Sequence, residues 1–524
     1  MRVFRSALQW VLSASSIVPH CIPTDPASSP KSIAIVGAGS GGLAALKALL
    51  DLPQETRRDW QIDLFEQRDH VGGIWLAQTD TPSPPDLPDT PMYPSLRTNL
   101  PHPTMTYPHF PYPPMTALYP GYSAVQAYHE HFAQHYNLTP YIHFSHTVVN
   151  ASYHQETHWT IEIELNGTAL PEQRYDHLIV ANGHNHYPHI PRWDGLEMWL
   201  SSSGQREMHH SLWYREPDRY RNHTVVVVGN GDSGRDIAMH VSKVAKKVYH
   251  SYDNNTREPV FSPPVPSAIY KPRISHLTNS AIVFTDNTTL STSGPTTILL
   301  ATGYDLVVPF LSPLATSPFV DYSTITLTTN RRYIRPLYRH VLALDPELPP
   351  NALAFIGLPM WVATAPSDYA QGLFVAHAIA DSAMLSSRET MLLELENSER
   401  ALEAQGIDPF FNGHRLQGRT RPVDYQEEFI AYLRANSSVA LPPFLADGRP
   451  YVERWRRDVR QYIFLLKKAW ARAEELGLQD AFIRGAVTEE EWAEVMERLK
   501  EWYVQEEEDR LPTISVLRVE DNEG

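Results

Sequence analysis

Two glycine runs, each directly after a short apolar run and ahead of helix-prone sequence, constrain this chain more than any other feature. The first is Ile33-Ala34-Ile35-Val36, then Gly37-Ala38-Gly39-Ser40-Gly41-Gly42, then LAALKALL. The second is Val225–Val228, then Gly229-Asn230-Gly231-Asp232-Ser233-Gly234. Both fit G-x-G-x-x-G in a strand–turn–helix setting. The first glycine makes the tight turn, the second lets backbone approach a pyrophosphate, and the third lets the helix pack on the strand. The opening helix offers free N–H groups and its positive dipole end to the anion. After the first unit, Ile62-Asp63-Leu64-Phe65-Glu66 reads as the next strand. Its terminal acid can accept both hydroxyls of a ribose.

Two complete units in one chain predict two dinucleotides with electron transfer between them. One is a flavin that stays bound, the other a nicotinamide that delivers hydride. The strand expected near Val248–Ser251 should carry the choice between NADPH and NADH. Lys246, Lys247, Ser251 and Arg257 are cationic or hydroxyl partners for a 2′-phosphate, whereas Asp253 argues mildly for NADH.

Composition removes other classes. The net charge of −16 repels phosphate backbones, and with no Lys/Arg stripe this excludes nucleic-acid binding. A lone cysteine, Cys21, cannot form an internal disulfide, a CxxC redox pair or a thiolate metal site. No run of 18 apolar residues exists, so no membrane span is expected. His131 and His135 lie one helical turn apart, but a solvated aromatic helix explains them better than a metal, and no metal site is assigned. There is no G-x-S-x-G elbow, so hydrolase chemistry has no support.

Between Thr81 and Pro120 stand 13 prolines, which predict an extended, loop-like wrap. Its tyrosines shape either an aromatic substrate pocket or a structural cover. A helix is expected over 123–136, strands over 142–150, 158–165, 178–181, 298–301 and 353–357, and a helix near 369–384. Beyond about 390 the sequence turns charged and helix-prone. Thr488 with Glu491 forms a capping box ahead of an apolar stripe, Trp492, Val495, Met496 and Leu499.

The N-terminus has the order of a secretory signal: Arg2 and Arg5, a modest apolar stretch, then a Pro/Ser-rich segment. Seven N-x-[ST] sequons, at Asn137, Asn150, Asn166, Asn222, Asn254, Asn287 and Asn436, exceed the roughly two or three that chance placement gives. These features predict the secretory pathway or the extracellular space, with a cytoplasmic enzyme carrying a disordered leader as the alternative.

The ordered set GAGSGGLAAL (37–46), FEQRDHVGGIW (65–75), YPSLRTNLPHPTMTYPHFPYP (93–113), GNGDSGRDIA (229–238) and ATGYD (301–305) resembles the flavin-containing monooxygenase family. LYRHV (337–341) and AFIGLP (354–359) extend the match, which covers roughly residues 33–385. The resemblance implies an α/β fold of two Rossmann-type dinucleotide-binding domains and a helical C-terminal region. The FAD domain would be discontinuous, over 32–194 and 301–390, with the NADPH domain inserted at 195–300, a leader at 1–31 and the helical region at 391–524.

The resemblance further implies cofactor contacts at Gly37, Gly39, Ser40, Gly42, Glu66, Gly73, Trp75 and Asn99 for the flavin. For NADPH it implies Gly229, Gly231, Ser233 and Gly234, with Thr302 and Gly303 also in contact with cofactor. NADPH would reduce FAD, O2 would add at the flavin C4a position, and the resulting hydroperoxide would oxygenate a small organic substrate. Asn99, in RTNLP, would be the catalytic amide facing flavin and nicotinamide. Fungal secondary-metabolite pathways contain family members with leaders and sequons, often acting on aromatic polyketides, and by analogy such a polyketide is a candidate substrate.

One motif departs from the family pattern F-x-G-x-x-x-H-S-x-x-Y. Trp199 stands for the phenylalanine, Gly204 lies six residues before His210, and His209 with Trp213 also matches the Baeyer–Villiger spacing. The alternatives are therefore Baeyer–Villiger insertion beside a ketone, or a flavin-binding partner in a multi-enzyme assembly without its own oxygenation.

Overall fold

The computed structural model describes residues 30–78, 80–154, 157–253 and 265–510. The expected leader up to residue 29, Cys21, the sequon at Asn254 and Arg257 lie outside the described residues. Two sheets dominate. Their strands, in chain order, are β1 (Ser32–Val36), β2 (Gln61–Phe65), β3 (Ile142–His143), β4 (His177–Val180), β5 (Arg206–His210), β6 (Thr224–Val228), β7 (Lys247–Ser251), β8 (Ile269–Lys271), β9 (Thr296–Leu300), β10 (Leu337–Tyr338), β11 (Leu342–Ala343) and β12 (Leu353–Phe355).

The first sheet runs β10-β11-β12-β4-β1-β2-β3, and every pair from β12 to β3 is parallel. The second runs β5-β9-β6-β7-β8, parallel throughout. The chain thus leaves the first sheet after β4, builds the second, and returns to complete the first. Central parallel strands are covered on both faces, which is why β1 and β4 are continuous apolar runs rather than alternating ones.

The principal helices are α1 (Ser40–Leu50), α2 (Tyr122–His135), α3 (Asp232–Val241), α4 (Thr364–Ala380), α5 (Arg388–Glu403), α6 (Arg421–Asn436), α7 (Arg454–Glu475) and α8 (Glu489–Arg510). In α1, Leu43, Leu46 and Leu49 are fully buried, each stabilising by about 1.5–3 kcal/mol relative to exposure. Every α4 residue from Ala365 to Ala380 is buried, the signature of a helix enclosed on all sides. Gly372 permits its closest approach to α1, since a Cβ there would lie 3.0 Å from the Ala44 carbonyl oxygen. This helix was expected near 369–384. It starts five residues earlier because Pro366 is tolerated in a first turn, where its missing N–H has no partner to lose.

The proline-rich segment is an extended cover with only a short 3-10 turn at His102–Met105. Tyr107 and Tyr112 pack in the core of the first sheet, Tyr93 in that of the second, and Tyr119 in a core formed with α7 and α8. The capping box forms as expected: Thr488 N donates to Glu491 Oε2 at 2.8 Å, and Glu491 N donates to Thr488 Oγ1 at 3.2 Å. Trp492, Val495, Met496 and Leu499 then bury against α7. No described helix is long and apolar enough to cross a membrane, and no described group of three or more His, Cys, Asp or Glu residues could hold a metal ion.

Candidate cofactor and substrate site

The first glycine turn closes because Gly37 adopts φ 102°, with its Cα so close to the end of β4 that a Cβ would stand 2.5 Å from the Ala181 carbonyl oxygen. A Cβ on Gly42 would lie 1.7 Å from the Gly37 carbonyl oxygen, so only glycine lets α1 begin there. Gly39 faces Gly73, where φ is 55° and a Cβ would lie 3.0 Å from the Gly39 Cα. No side chain caps α1. Its N-terminal N–H groups and positive dipole end face this glycine-lined passage. Trp75 ends the same turn, its N–H donating to the Gly72 carbonyl at 3.1 Å.

Glu66 stands at the end of β2, 6% exposed, accepting from Ala38 N at 2.7 Å and Arg68 N at 2.9 Å. Burial raises its pKa above the ordinary carboxylate value, while the backbone donors oppose that shift. Two fixed amides leave further lone pairs on both oxygens for ribose hydroxyls. An uncapped helix, a cradle that any Cβ would fill and a carboxylate at the strand end together fit FAD, which when bound supplies the redox chemistry.

The second turn repeats the backbone geometry. Gly229 has φ 109° with a Cβ position 2.3 Å from the Ala301 carbonyl oxygen, and a Cβ on Gly234 would lie 2.1 Å from the Gly229 carbonyl oxygen. Here Gly231 and Ser233 are exposed, and a Cβ on Gly231 would meet nothing within 4 Å. That open helix N-terminus fits NADPH arriving from solvent. Three of the residues expected to favour it are placed otherwise. The register pairs Thr224 with Lys247 and Val228 with Ser251, so Lys246 and Lys247 sit at the end of the sheet away from the turn. Strand rise puts Lys247 about 13 Å from Ser251, and Lys246 farther still. Ser251 is fully buried and donates to the Pro272 carbonyl at 2.8 Å. The half-buried Arg235, one residue past Gly234, instead lies beside Asp232, Tyr252 and His250 at the correct end.

Thr302 and Gly303, after β9, line a cleft with His184 and Asn185, which follow β4, and with Arg331, His414 and Arg415. Thr302 donates to the His189 carbonyl. The remodelled motif reaches this turn through His210, not His209. His210 Nδ1 accepts from Leu212 N at 3.1 Å, which puts the proton on Nε2, the atom that donates to the Gly303 carbonyl at 3.0 Å. Burial lowers its pKa to about 4, so it acts as a neutral strut. His209 is held instead by Tyr220, Nε2 to hydroxyl at 2.6 Å. Trp199 is fully buried and donates to Thr292 Oγ1 at 3.0 Å, a core role for the residue in the phenylalanine position.

Asn99 is exposed on the proline-rich cover, and its Oδ1 accepts from Lys467 Nζ of α7 at 3.1 Å. A lysine only donates, so this contact orients the amide with Nδ2 away from α7. Arg97 pairs with Glu474 at 3.1 Å. Arg456, 8% exposed, donates to the Pro103 carbonyl, to Thr106 Oγ1 and to Glu453 and Glu489. The C-terminal helices therefore clamp the segment that carries Asn99, a role nothing in their sequence announced. Sequence reasoning also missed Asp368 in α4. It is 3% exposed, bonded to the Ser40 side chain, and burial raises its pKa to about 7. Its only sequence signal was an acid inside a mostly apolar helix.

A family model described as flavin-binding monooxygenase-like matches residues 30–258. The Arabidopsis thaliana flavin-containing monooxygenase FMO GS-OX-like 4 is 30% identical over 397 residues, covering 72% of this chain and 82% of the relative. FMO GS-OX3 of the same plant is 28% identical over 451 residues, covering 83% and 88%. Among solved structures, the S-allyl-L-cysteine S-oxygenase of Allium sativum shares the fold with a TM-score of 0.67 at 23% identity, over 91% of this chain and 99% of that one. A cyclohexanone monooxygenase from Rhodococcus sp. Phi1 bound to NADP+ has a TM-score of 0.50 at 13% identity, over 78% and 99%. The chain belongs to the flavin-containing monooxygenase family and is a flavin monooxygenase that uses FAD and NADPH.

Proposed function

We propose that this enzyme oxygenates sulfur, a soft nucleophile, in a small thioether, consuming NADPH and O2. The observation that carries the reading is the convergence of the turn after β9 and the loop after β4 on one cleft. The end of β4 packs on the first turn and the end of β9 on the second, so these residues would hold FAD and NADPH, which would supply the redox chemistry. The relatives direct the substrate: an S-oxygenase shares the fold across 91% of this chain, and the GS-OX proteins cover most of it. In this reading Asn99, oriented by Lys467, presents its Nδ2 donors to the cofactors. Gly37, Gly39, Ser40, Gly42, Glu66, Gly73 and Trp75 hold FAD, while Gly229, Gly231, Ser233 and Gly234 hold NADPH.

An aromatic polyketide has less support, because Tyr93, Tyr107, Tyr112 and Tyr119 of the cover are all 5% exposed or less and build core instead of a pocket wall. The test is product identification by mass spectrometry after turnover with a thioether, a cyclic ketone and an aromatic ketone. A sulfoxide formed in step with NADPH supports the reading, whereas a lactone or ester would replace it with Baeyer–Villiger insertion. NADPH consumption with peroxide release on every substrate would point to a partner-dependent flavoprotein.

The same proposal extends to passage through the secretory route. Five described sequons, Asn137, Asn166, Asn222, Asn287 and Asn436, are exposed, and Asn150 is half-buried. A mobility shift on glycosidase treatment of protein from a eukaryotic host supports it. An unshifted band would leave the turns to explain the asparagines, since Asn137, Asn166, Asn222 and Asn287 all occupy positive φ.

A further inference from the structure

Asp368, the buried acid of α4, stands against the N-terminus of α1, the helix end that closes the first glycine turn. A Cβ on Gly41 would lie 3.3 Å from the Ile356 carbonyl oxygen, so that helix end packs on the chain leaving β12. Gly357, the next residue, faces Asp368, whose carboxyl oxygens lie 3.7 and 3.9 Å from the position of a Cβ there. The Gly357 N–H is held by the same helix, donating to Gln371 Oε1 at 3.2 Å. From the proline-rich cover, the Tyr107 hydroxyl donates to the Ser40 carbonyl at 2.8 Å and lies 3.4 Å from Ser40 Oγ. Ser40 is the first residue of α1, and Asp368 bonds to its side chain.

The surroundings of Asp368 are neutral. Tyr107 from the cover, Tyr425 from α6 and Tyr451 beyond it are buried, which lifts their hydroxyls well above the ordinary phenol range. His184 bonds to the Gly357 backbone, and burial lowers its pKa. Arg456, which faces Tyr451, is already paired with Glu453 and Glu489. Among the described residues no cation pairs with Asp368, so ionising it meets the cost of desolvation unrelieved, and its pKa rises to about 7.

Ser40 Oγ has one proton to give. An ionised Asp368 takes that proton and sets a negative charge beneath the helix end whose dipole and N–H groups suit a phosphate. A neutral Asp368 donates to Ser40 Oγ instead, frees the Ser40 proton and removes the charge. We propose that Asp368 is a positioning residue for FAD that acts through Ser40: the neutral acid leaves the Ser40 hydroxyl to an anion at the α1 N-terminus, and the carboxylate withdraws that hydroxyl and repels the anion. FAD and one proton on Asp368 therefore favour each other's binding. Retention of flavin is full where Asp368 is protonated and weakens as pH rises through its pKa. The inference rests on the first turn holding FAD, and not on the sulfur substrate.

Holoenzyme is diluted to nanomolar concentration between about pH 6 and about pH 9, and released FAD is read by its fluorescence while circular dichroism follows the fold. The expected result is a dissociation constant for FAD that rises about tenfold or more across that range with the fold intact. Asp368→Asn should hold the acid-side value throughout, Asp368→Glu should restore the pH response, and Ser40→Ala should lose the tight binding at low pH. A dissociation constant independent of pH, or no release at any pH, overturns the proposal. So does a response that persists in Asp368→Asn, which assigns it to Glu66 or another group. Release that only tracks loss of the dichroic signal reduces Asp368 to a stability role and overturns it as well. If Asp368→Asn does not fold, Ser40→Ala decides: a pH response equal to that of the unaltered enzyme removes Ser40 from the path. Full flavin occupancy in Gly42→Ala would instead sink the first-turn assignment, and the proposal with it.

Discussion

At the first turn a Cβ on Gly37 would stand 2.5 Å from the Ala181 carbonyl oxygen, and at the second a Cβ on Gly229 would stand 2.3 Å from that of Ala301. The backbones are near copies, yet their surroundings differ. Gly39 is half-buried against Gly73, and the strand beside it ends in the buried Glu66. Gly231 and Ser233 are exposed, and the strand beside them ends in Ser251, whose hydroxyl turns into the core. A turn enclosed by its own chain suits a cofactor that stays, and a turn open to solvent suits one that must leave each cycle. The same motif thus serves two kinetics, decided by what packs around it.

The largest effects should come from the third glycines. Gly42→Ala drives a Cβ into the Gly37 carbonyl oxygen and should give apoprotein or no folded protein, read as flavin absorbance per chain. Gly234→Ala should keep the flavin while slowing its bleaching by NADPH at least about a hundredfold, the equivalent of roughly 2.7 kcal/mol. Flavin loss in both would break the distinction between the turns.

Asp368 sharpens the first half of the comparison. Its folded pKa, raised to about 7 from 3.8, means that the native state holds a proton the unfolded chain has lost. Stability should therefore fall as pH rises from about 4 to about 7, by at most about 4 kcal/mol, and stay low above that range. Asp368→Asn should flatten this dependence in thermal melts across the range, and an unchanged slope would remove Asp368 as its source.

Asn99→Ala deletes the amide that Lys467 orients. Losing a hydrogen bond of about 1.5 kcal/mol at the reacting centre should raise peroxide released per NADPH about tenfold. Unchanged coupling would take Asn99 out of the chemistry. The smallest contrast is Gly73→Ala against Gly231→Ala. The first needs φ 55° and meets Gly39 at 3.0 Å, so flavin affinity should drop by about 1 kcal/mol or more. The second meets no protein atom within 4 Å but intrudes on the side where the NADPH pyrophosphate would lie, so the KM for NADPH should rise while flavin affinity stays unchanged.

Both nucleotide units were legible because each is local: strand, turn and helix lie within about 20 residues, and only glycine satisfies the contacts made there. The capping box at Thr488 was legible for the same reason. The expectation for Lys246 and Lys247 failed because proximity in sequence to a strand end says nothing about which end faces the turn, and the parallel register reversed it. His210 was ambiguous against His209 until alternation along β5 sent one toward Gly303 and the other toward Tyr220.

The sequence by itself determined that two dinucleotide turns exist, that Glu66 ends the second strand, and that residues 81–120 cannot be regular structure. Each follows from backbone sterics acting over a few residues. Tertiary structure alone decided that α7 lies on the Asn99 loop, that Lys467 meets Asn99 across 368 positions, and that Arg456 ties the Pro103 carbonyl and Thr106 to Glu453 and Glu489. Such contacts depend on how separate apolar faces bury one another, and no local pattern records which surfaces will meet.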